Sequence, residues 1–127
     1  MIKDFLIINF TGKKNSIGLR VNNNFFFKKL QTNIRNNESL VNNIFQFVKQ
    51  KKANIDKDFS IIVNIGPGSF SGIRISLAVA KGIKISKRAK IYGYNDSDLT
   101  AFNPKNIELL IKNNLLENNL IKPVYLS

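Results

Sequence analysis

The feature that most constrains the fold is the stretch of residues 59–82, in which a strand, a glycine-rich turn and a helix follow one another. Residues 59–65 are apolar and mostly β-branched, which is typical of a strand at the centre of a sheet. Residues 66–68 (Gly-Pro-Gly) end the strand, because Pro has no N–H to donate and Gly permits unusual backbone angles. Ser69 is a good N-cap, and helical spacing begins at Phe70. Such a turn presents backbone N–H groups at the positive end of a helix, which predicts a site for an anion or for another protein's backbone.

Three strands are predicted before this stretch. Residues 5–10 are apolar on both faces, which indicates a strand in the middle of a sheet. Residues 16–21 alternate between apolar and polar side chains, as a half-buried strand does. Residues 22–24 are three Asn, which tolerate positive φ and favour a hairpin turn. Lysines within residues 25–30 favour an edge position for the third strand.

Helices are predicted over residues 38–52 and 69–86 and from Pro104 onward, with a short strand at residues 90–94. The first helix carries one apolar stripe, formed by Leu40, Val41, Ile44, Phe47 and Val48. The second helix is apolar around most of its circumference, which indicates burial on two sides. One side would lie on the sheet. The sequence leaves open whether the other side is covered by the chain's own first helix or by a partner protein.

The predicted order is therefore βββ-α-β-α-β-α, in a single domain spanning residues 1–127. This order predicts an α/β protein with a mixed sheet and helices packed on it. It is the layout of the ribonuclease H-like fold and of one lobe of the actin-like ATPases. No apolar run is long enough to span a membrane, the N-terminus lacks a signal-peptide pattern, and Cys is absent. A cytoplasmic location without membrane contact is therefore expected.

The chain carries a net charge of +12. One interpretation is a partner with phosphate groups, such as RNA. The alternative is compositional bias, because Asn, Ile and Lys are all abundant and the basic residues are spread along the whole chain. One local cluster stands out, formed by Lys81, Lys84, Lys87, Arg88 and Lys90. Cations near a helix C-terminus also complement the helix dipole, which explains part of this cluster.

Several classes of catalysis are excluded by the residues present. The sequence contains neither His nor Cys, which excludes thiol nucleophiles, imidazole bases and the usual zinc sites. The first and fourth strands end in Asn9 and Asn64, where a metal-dependent nuclease of this fold class would need carboxylates. Asp96 and Asp98 follow the fifth strand, and capping of the next turn is the simpler interpretation of both. We therefore expect no metal site and no cofactor.

The glycine turn can also be compared with nucleotide-binding loops. A Walker A loop requires Lys after its last glycine, whereas Gly72 is followed by Ile73. The Rossmann fingerprint is one residue shorter than the spacing found here, and Pro67 is unusual within it. An alternative hypothesis is a nucleotide-binding protein that uses the turn as a phosphate cradle, with Arg74 and Lys81 nearby.

The nine residues from Gly66 to Arg74, Gly-Pro-Gly-Ser-Phe-Ser-Gly-Ile-Arg, followed by Ala80-Lys-Gly82, resemble the signature of the TsaB (YeaZ) family. The family pattern is close to G-P-G-S-F-T-G-[LVI]-R-[IV]-G and then A-[KQ]-G. The ending Pro123-Val-Tyr-Leu is similar to the family's P-x-Y-L-R close. The sequence departs from the family where the first strand ends in Asn9 rather than Asp. Only residues 103–122 precede the ending, so we expect a one-lobe member that lacks the family's second lobe.

The resemblance implies a non-catalytic subunit in the synthesis of tRNA N6-threonylcarbamoyladenosine. Its partner would be the catalytic subunit TsaD, bound through the two helices at residues 38–52 and 69–86. The ATPase TsaE would join the pair, and tRNA would be reached through the complex. Apart from the resemblance, exposed apolar helix faces could let two copies pair when TsaD is absent. The signature-loop residues, which could also contact an anion, are Gly66, Pro67, Gly68, Ser69, Phe70, Ser71, Gly72 and Arg74. The expected interface residues are Leu40, Ile44, Phe45, Phe47, Ile73, Leu77, Ala80 and Lys81. No catalytic residue is expected.

Overall fold

The computed structural model describes residues 2–31 and 33–118 and the backbone of residues 125–126. Its elements follow the predicted order, with two additional short strands. They are β1 (Phe5–Asn9), β2 (Ser16–Val21), β3 (Asn24–Lys29), α1 (Asn37–Gln50), β4 (Ser60–Asn64), β5 (Gly68–Ser69), α2 (Phe70–Lys87), β6 (Lys90–Tyr94), α3 (Pro104–Lys112) and β7 (Tyr125–Leu126). A short 3₁₀ helix at Asp96–Asp98 follows β6.

The main sheet is mixed, with the strand order β3-β2-β1-β4-β6. β1, β2 and β3 form an antiparallel meander, whereas β4 is parallel to β1 and β6 is parallel to β4. β1 is central and β3 lies at an edge, as the sequence predicts. β5 pairs with β7 in a separate two-stranded parallel sheet. The sequence does not predict this pair, and Pro123 lies outside the described residues.

Alternate residues of the strands face two separate cores, because side chains alternate across a strand. Leu6 and Ile8 of β1 face the side covered by α1 and α2. Phe5 and Ile7 face the other side, where α3 packs with Ile107. The sheet is therefore covered on both faces, which explains why its central strands are apolar throughout.

The ends of the elements follow from local polar residues. Asn22 and Asn23 adopt positive φ of 52° and 68°, as the β2–β3 turn requires. The Asn36 side chain caps α1 by accepting a hydrogen bond from the Ser39 N–H at 2.8 Å. α3 ends at Lys112, earlier than its apolar spacing suggests, and leaves Leu115 exposed.

Within the described residues, no helix has the length and the apolar character that crossing a membrane would require.

Candidate functional site

The carboxyl ends of β1 and β4 are joined by a hydrogen-bonded polar group that includes the turn after β6. The Asn64 amide nitrogen donates to the Asn9 side-chain oxygen and to the Asp96 carboxylate, each at 2.9 Å. The Asn64 oxygen accepts from the Gly66 N–H, also at 2.9 Å. Asn64 is buried, so all three hydrogen bonds lie in a region of low dielectric constant, where they are stronger than in water. They hold the strand ends in fixed positions relative to one another.

The capping interpretation of Asp96 is wrong. Asn95 precedes the 3₁₀ helix and makes no side-chain capping bond, and the Asp96 carboxylate instead accepts from Asn64. The reason is topological: β4 and β6 are parallel neighbours, so their carboxyl ends place Asn64 beside the residue that follows β6. In the described part of the chain, no three acidic, His or Cys side chains gather closely enough to hold a metal ion.

The glycines of the signature turn are packed against the chain's own backbone. A Cβ on Gly72 would collide with the carbonyl oxygen of Phe10, and a Cβ on Gly68 would lie 2.7 Å from the Cβ of Thr11. The Ser69 N–H donates to the carbonyl oxygen of Thr11 at 2.8 Å. Gly66 has φ of +101°, a conformation that favours glycine. These glycines therefore let α2 begin close to the end of β1, and the space beside them is already filled.

The remaining signature-loop residues lie around the start of α2. The Ser69 hydroxyl accepts from the Gly72 N–H at 3.4 Å, as the predicted N-cap does. Ser71 and Pro67 are exposed. The Arg74 guanidinium lies 5.7 Å from the centre of the Phe70 ring in a cation–π geometry. The predicted N-cap and helix start are thus confirmed, whereas a bound anion at this turn stays a prediction.

Most of the residues expected at a partner interface are buried in the chain itself. Six of the eight lie in the core between the sheet, α1 and α2, with exposed fractions between 0% and 5%: Leu40, Ile44, Phe47, Ile73, Leu77 and Ala80. Assigning these six to a contact surface was therefore wrong. α2 does have two buried sides, but one lies on the sheet and the other on α1. Phe45 is half-buried, and Lys81 is exposed.

An apolar groove remains open between the two helices, and we call it the α1–α2 groove. It has a volume of about 270 Å³ and is lined by Val41 and Phe45 of α1 and by Ala78, Gly82 and Ser86 of α2, among others. A Cβ added at Gly82 would have no neighbour within 4 Å. The chain's own packing therefore does not require glycine at position 82. The small residues at positions 78 and 82 are the signal in the sequence that could have indicated this surface.

The basic cluster lies on one exposed region at the C-terminal end of α2 and the start of β6. Lys81, Lys84, Lys87, Arg88 and Lys90 are all exposed. Arg88 adopts φ of 60° at the C-cap of α2. In the described part of the chain, none of the five forms an ion pair, so their charges are available to solvent or to a ligand.

Comparison with known proteins identifies relatives of the chain. It is 34% identical over 87 residues to the tRNA threonylcarbamoyladenosine biosynthesis protein TsaB of Buchnera aphidicola subsp. Baizongia pistaciae, a match that covers 67% of this chain. The chain belongs to the TsaB/YeaZ family. It spans only 38% of the length of that relative. No protein-family model matches the sequence.

Two solved structures establish the fold of this family member. YeaZ from Pseudomonas aeruginosa matches with a TM-score of 0.64 at 15% identity, over 76% of this chain and 46% of that one. A crystal structure of a protein with similarity to the peptidase YeaZ, also from Pseudomonas aeruginosa, matches equally well, over 76% of this chain and 45% of the other. These similarities confirm the predicted ribonuclease H-like, actin-like α/β fold.

Proposed function

We propose that this TsaB/YeaZ family member is an accessory subunit in the synthesis of threonylcarbamoyladenosine in tRNA, and that it binds the catalytic subunit TsaD through the α1–α2 groove. The observation that carries the proposal is the groove itself, because its apolar surface is left uncovered on the helix pair that the family resemblance assigns to TsaD. The reaction is the one named for the Buchnera relative. The proposal places the protein in the cytoplasm.

The shape of the groove suits a helix of the partner. Its floor includes Ala78 and Gly82, and small residues let a second helix approach closely. Its walls include Val41 and Phe45, which supply apolar surface to bury on association.

A non-catalytic role follows from the residues at the strand ends. The Asn64 amide donates hydrogen bonds to the Asn9 side-chain oxygen and to the Asp96 carboxylate, and amides cannot act as general bases or supply a charge to a metal ion. The chemistry would therefore be supplied by the partner, and this chain would position it. A contact with the ATPase TsaE would follow from the assembled pair.

The test is co-purification with TsaD of the same organism, using Gly82→Leu as the perturbing variant. The new side chain enters open space, so the fold should be retained, and replacing Gly in a helix adds roughly 0.5–1 kcal/mol of stability. In the complex, however, the side chain would occupy the space that the partner helix needs. We expect co-purification to fall at least tenfold while the melting temperature stays the same or rises.

Gln46→Leu is the matched control, because Gln46 is exposed on α1 and does not line the groove. This variant adds the same side chain to the same helix pair and should leave co-purification unchanged. Retention of TsaD by Gly82→Leu would overturn the proposed interface. Size-exclusion chromatography of the free protein then checks self-association: if two copies pair through the groove, Gly82→Leu should shift a dimer to a monomer.

The basic cluster favours a contribution to tRNA binding within the complex. Its five exposed cations are free to neutralise RNA phosphates. Replacing Lys84 and Lys87 with Ala should weaken tRNA binding by the complex and make the affinity less dependent on salt. An unchanged slope of affinity against salt concentration would show that the cluster does not contact tRNA.

A further inference from the structure

β3 lies at the edge of the main sheet, and its outer side is uncovered. β2 pairs with its inner side, and in the part of the chain that the structure describes no other strand pairs with it. An edge strand presents a row of free N–H and C=O groups, with which a strand of another chain can pair. β3 is therefore a surface to which a further strand can be added.

The register of β3 identifies its outward backbone groups. Leu30 directly follows the strand, and its N–H donates to the carbonyl oxygen of Asn15 at 2.8 Å, so Leu30 points toward the β2 side. The directions of these groups alternate along an antiparallel strand. Phe25, Phe27 and Lys29 therefore direct their N–H and C=O groups away from β2. An added strand would find a donor and an acceptor at each of these three residues.

One face of this edge is aromatic. Phe25 packs on the side covered by α3, and Phe27, two residues further on, projects from the same face. The two rings are stacked, with centroids 5.9 Å apart and an interplanar angle of 9°. Phe27 is still 40% exposed. Because aromatic and β-branched side chains pair favourably across neighbouring strands, this face favours apolar side chains on the added strand.

The other face of the edge is basic. Phe26 projects from it, and the Lys51 ammonium lies 4.7 Å from the centre of the Phe26 ring. Lys28 is two residues from Phe26 and therefore shares this face. Among the residues that the structure describes, neither lysine forms an ion pair. Opposite charges pair favourably across neighbouring strands, so this face favours acidic side chains on the added strand.

The charges also argue against a second copy of the chain as the added strand. Residues 24–29 contain two lysines and no acidic residue, and the whole chain carries a net charge of +12. Lysines on an edge strand discourage pairing between like copies, because the charges repel one another. The same lysines attract an acidic strand. Charge complementarity therefore selects an acidic partner segment.

We propose that β3 accepts an extended segment of a partner protein as an additional strand. In this segment, apolar side chains that contact Phe25 and Phe27 alternate with acidic side chains that face Lys28 and Lys51. Strand addition of this kind takes its affinity from backbone hydrogen bonds and its specificity from alternate side chains. None of the described residues of β3 lines the α1–α2 groove, and the inference does not depend on the role proposed in tRNA modification.

The test is fluorescence anisotropy of labelled synthetic peptides titrated with the whole chain. The probe is a peptide of about eight residues in which Val and Glu alternate, a length typical of a strand. We expect it to bind at least tenfold more tightly than the same residues arranged as a Val block and a Glu block, and than an alternating Val and Lys peptide. Equal affinity for the alternating and block peptides would overturn the assignment of the two faces. No binding at millimolar protein concentration would overturn the site.

Backbone methylation of the probe tests strand pairing itself. Methylated backbone nitrogens cannot donate hydrogen bonds, whereas the side chains and their charges stay the same. The methylated peptide should therefore bind at least tenfold more weakly than the unmethylated probe. Retained affinity would show charge attraction without strand pairing and would overturn the proposal.

A pair of variants at position 29 locates the pairing on β3. Lys29→Pro and Lys29→Ala both remove the charge, but only Pro removes the outward N–H, which the sheet does not use. Lys29→Pro should bind the probe several-fold more weakly than Lys29→Ala, while circular dichroism shows that both are folded. Equal affinities would overturn the pairing at this edge.

A second pair of variants tests the charge assignment and leaves the backbone of β3 unchanged. Lys28→Glu should weaken binding of the Val and Glu probe at least tenfold and favour the alternating Val and Lys peptide. Lys84→Glu makes the same charge change at an exposed position of α2 and should leave both affinities almost unchanged. Equal loss in the two variants would show long-range attraction by the net charge and would overturn the proposed contact.

Discussion

Two glycines in one helix provide a direct test of why the signature turn requires glycine. Gly72 and Gly82 both belong to α2, and their surroundings are opposite. A Cβ at position 72 would collide with the carbonyl oxygen of Phe10, whereas a Cβ at position 82 would meet nothing within 4 Å. Replacing each with Ala therefore adds the same atom to the same helix, once against backbone and once in open space.

The expected changes in stability have opposite signs. Gly82→Ala should raise the free energy of unfolding by about 0.5–1 kcal/mol, because Ala loses less conformational freedom in a helix than Gly. Gly72→Ala should lower it by about 1–3 kcal/mol, because a backbone carbonyl cannot rotate away from the new methyl group as a side chain would. The two variants should differ by roughly 1.5–4 kcal/mol.

Urea denaturation monitored by circular dichroism measures this difference, and a thermal scan provides a second estimate. For a domain of this size, each kcal/mol shifts the melting temperature by about 4 °C. If Gly72→Ala were as stable as Gly82→Ala, close packing would not be the reason for glycine at position 72. A stable Gly72→Ala variant with altered phosphate binding would instead support the anion-cradle hypothesis.

Further outcomes follow from other described residues. Asn64→Ala should lower the free energy of unfolding by about 2–4 kcal/mol, since it leaves Asn9, Asp96 and the Gly66 N–H without their shared partner, and urea denaturation would measure this loss. Leu77→Glu should abolish folding because Leu77 is 5% exposed, whereas Ile85→Glu, at an 81% exposed position, should fold normally; circular dichroism distinguishes the two. The stability of the wild-type protein should fall as the pH rises above 10. The unfolded chain then releases the Tyr94 proton while the folded state, in which the pKa of this phenol is raised, retains it; a pH series of Tyr94→Phe should show a smaller fall.

Much of the fold could be predicted from local patterns in the sequence. β2 and β6 have their predicted limits, because alternation and flanking turn residues define short strands well. The β1 position follows from its uniformly apolar residues, and the edge position of β3 from its lysines. The β5–β7 pair could not be predicted, because two-residue strands have no periodicity and their pairing joins distant parts of the chain.

The candidate sites were less predictable, because both depend on how elements meet. The pattern of α2 correctly indicated two buried sides, but periodicity does not say what covers each side. The sequence therefore predicts a partner contact for Leu77 and Ala80, whereas in the structure the sheet and α1 bury them. The cavity at the carboxyl ends of β1, β4 and β6 combines residues from these strands, from β3 and from the loops around them. No local motif marks it, and only the parallel register of β4 and β6 brings Asn64 beside Asp96.

The α1–α2 groove and Tyr94 lie on opposite faces of the sheet, so a change at one can be tested for its effect on the other. The α1–α2 groove belongs to the helix pair that packs on one face, while Tyr94 packs with Phe5 and Ile107 on the face covered by α3. A partner in the groove would therefore leave the residues around Tyr94 uncovered by that partner. Gly82→Leu should lower co-purification with TsaD at least tenfold, whereas Tyr94→Phe should leave it unchanged. If Tyr94→Phe lowered TsaD binding while the protein stayed folded, the two faces would have to be coupled through the sheet, and treating them as independent would be wrong.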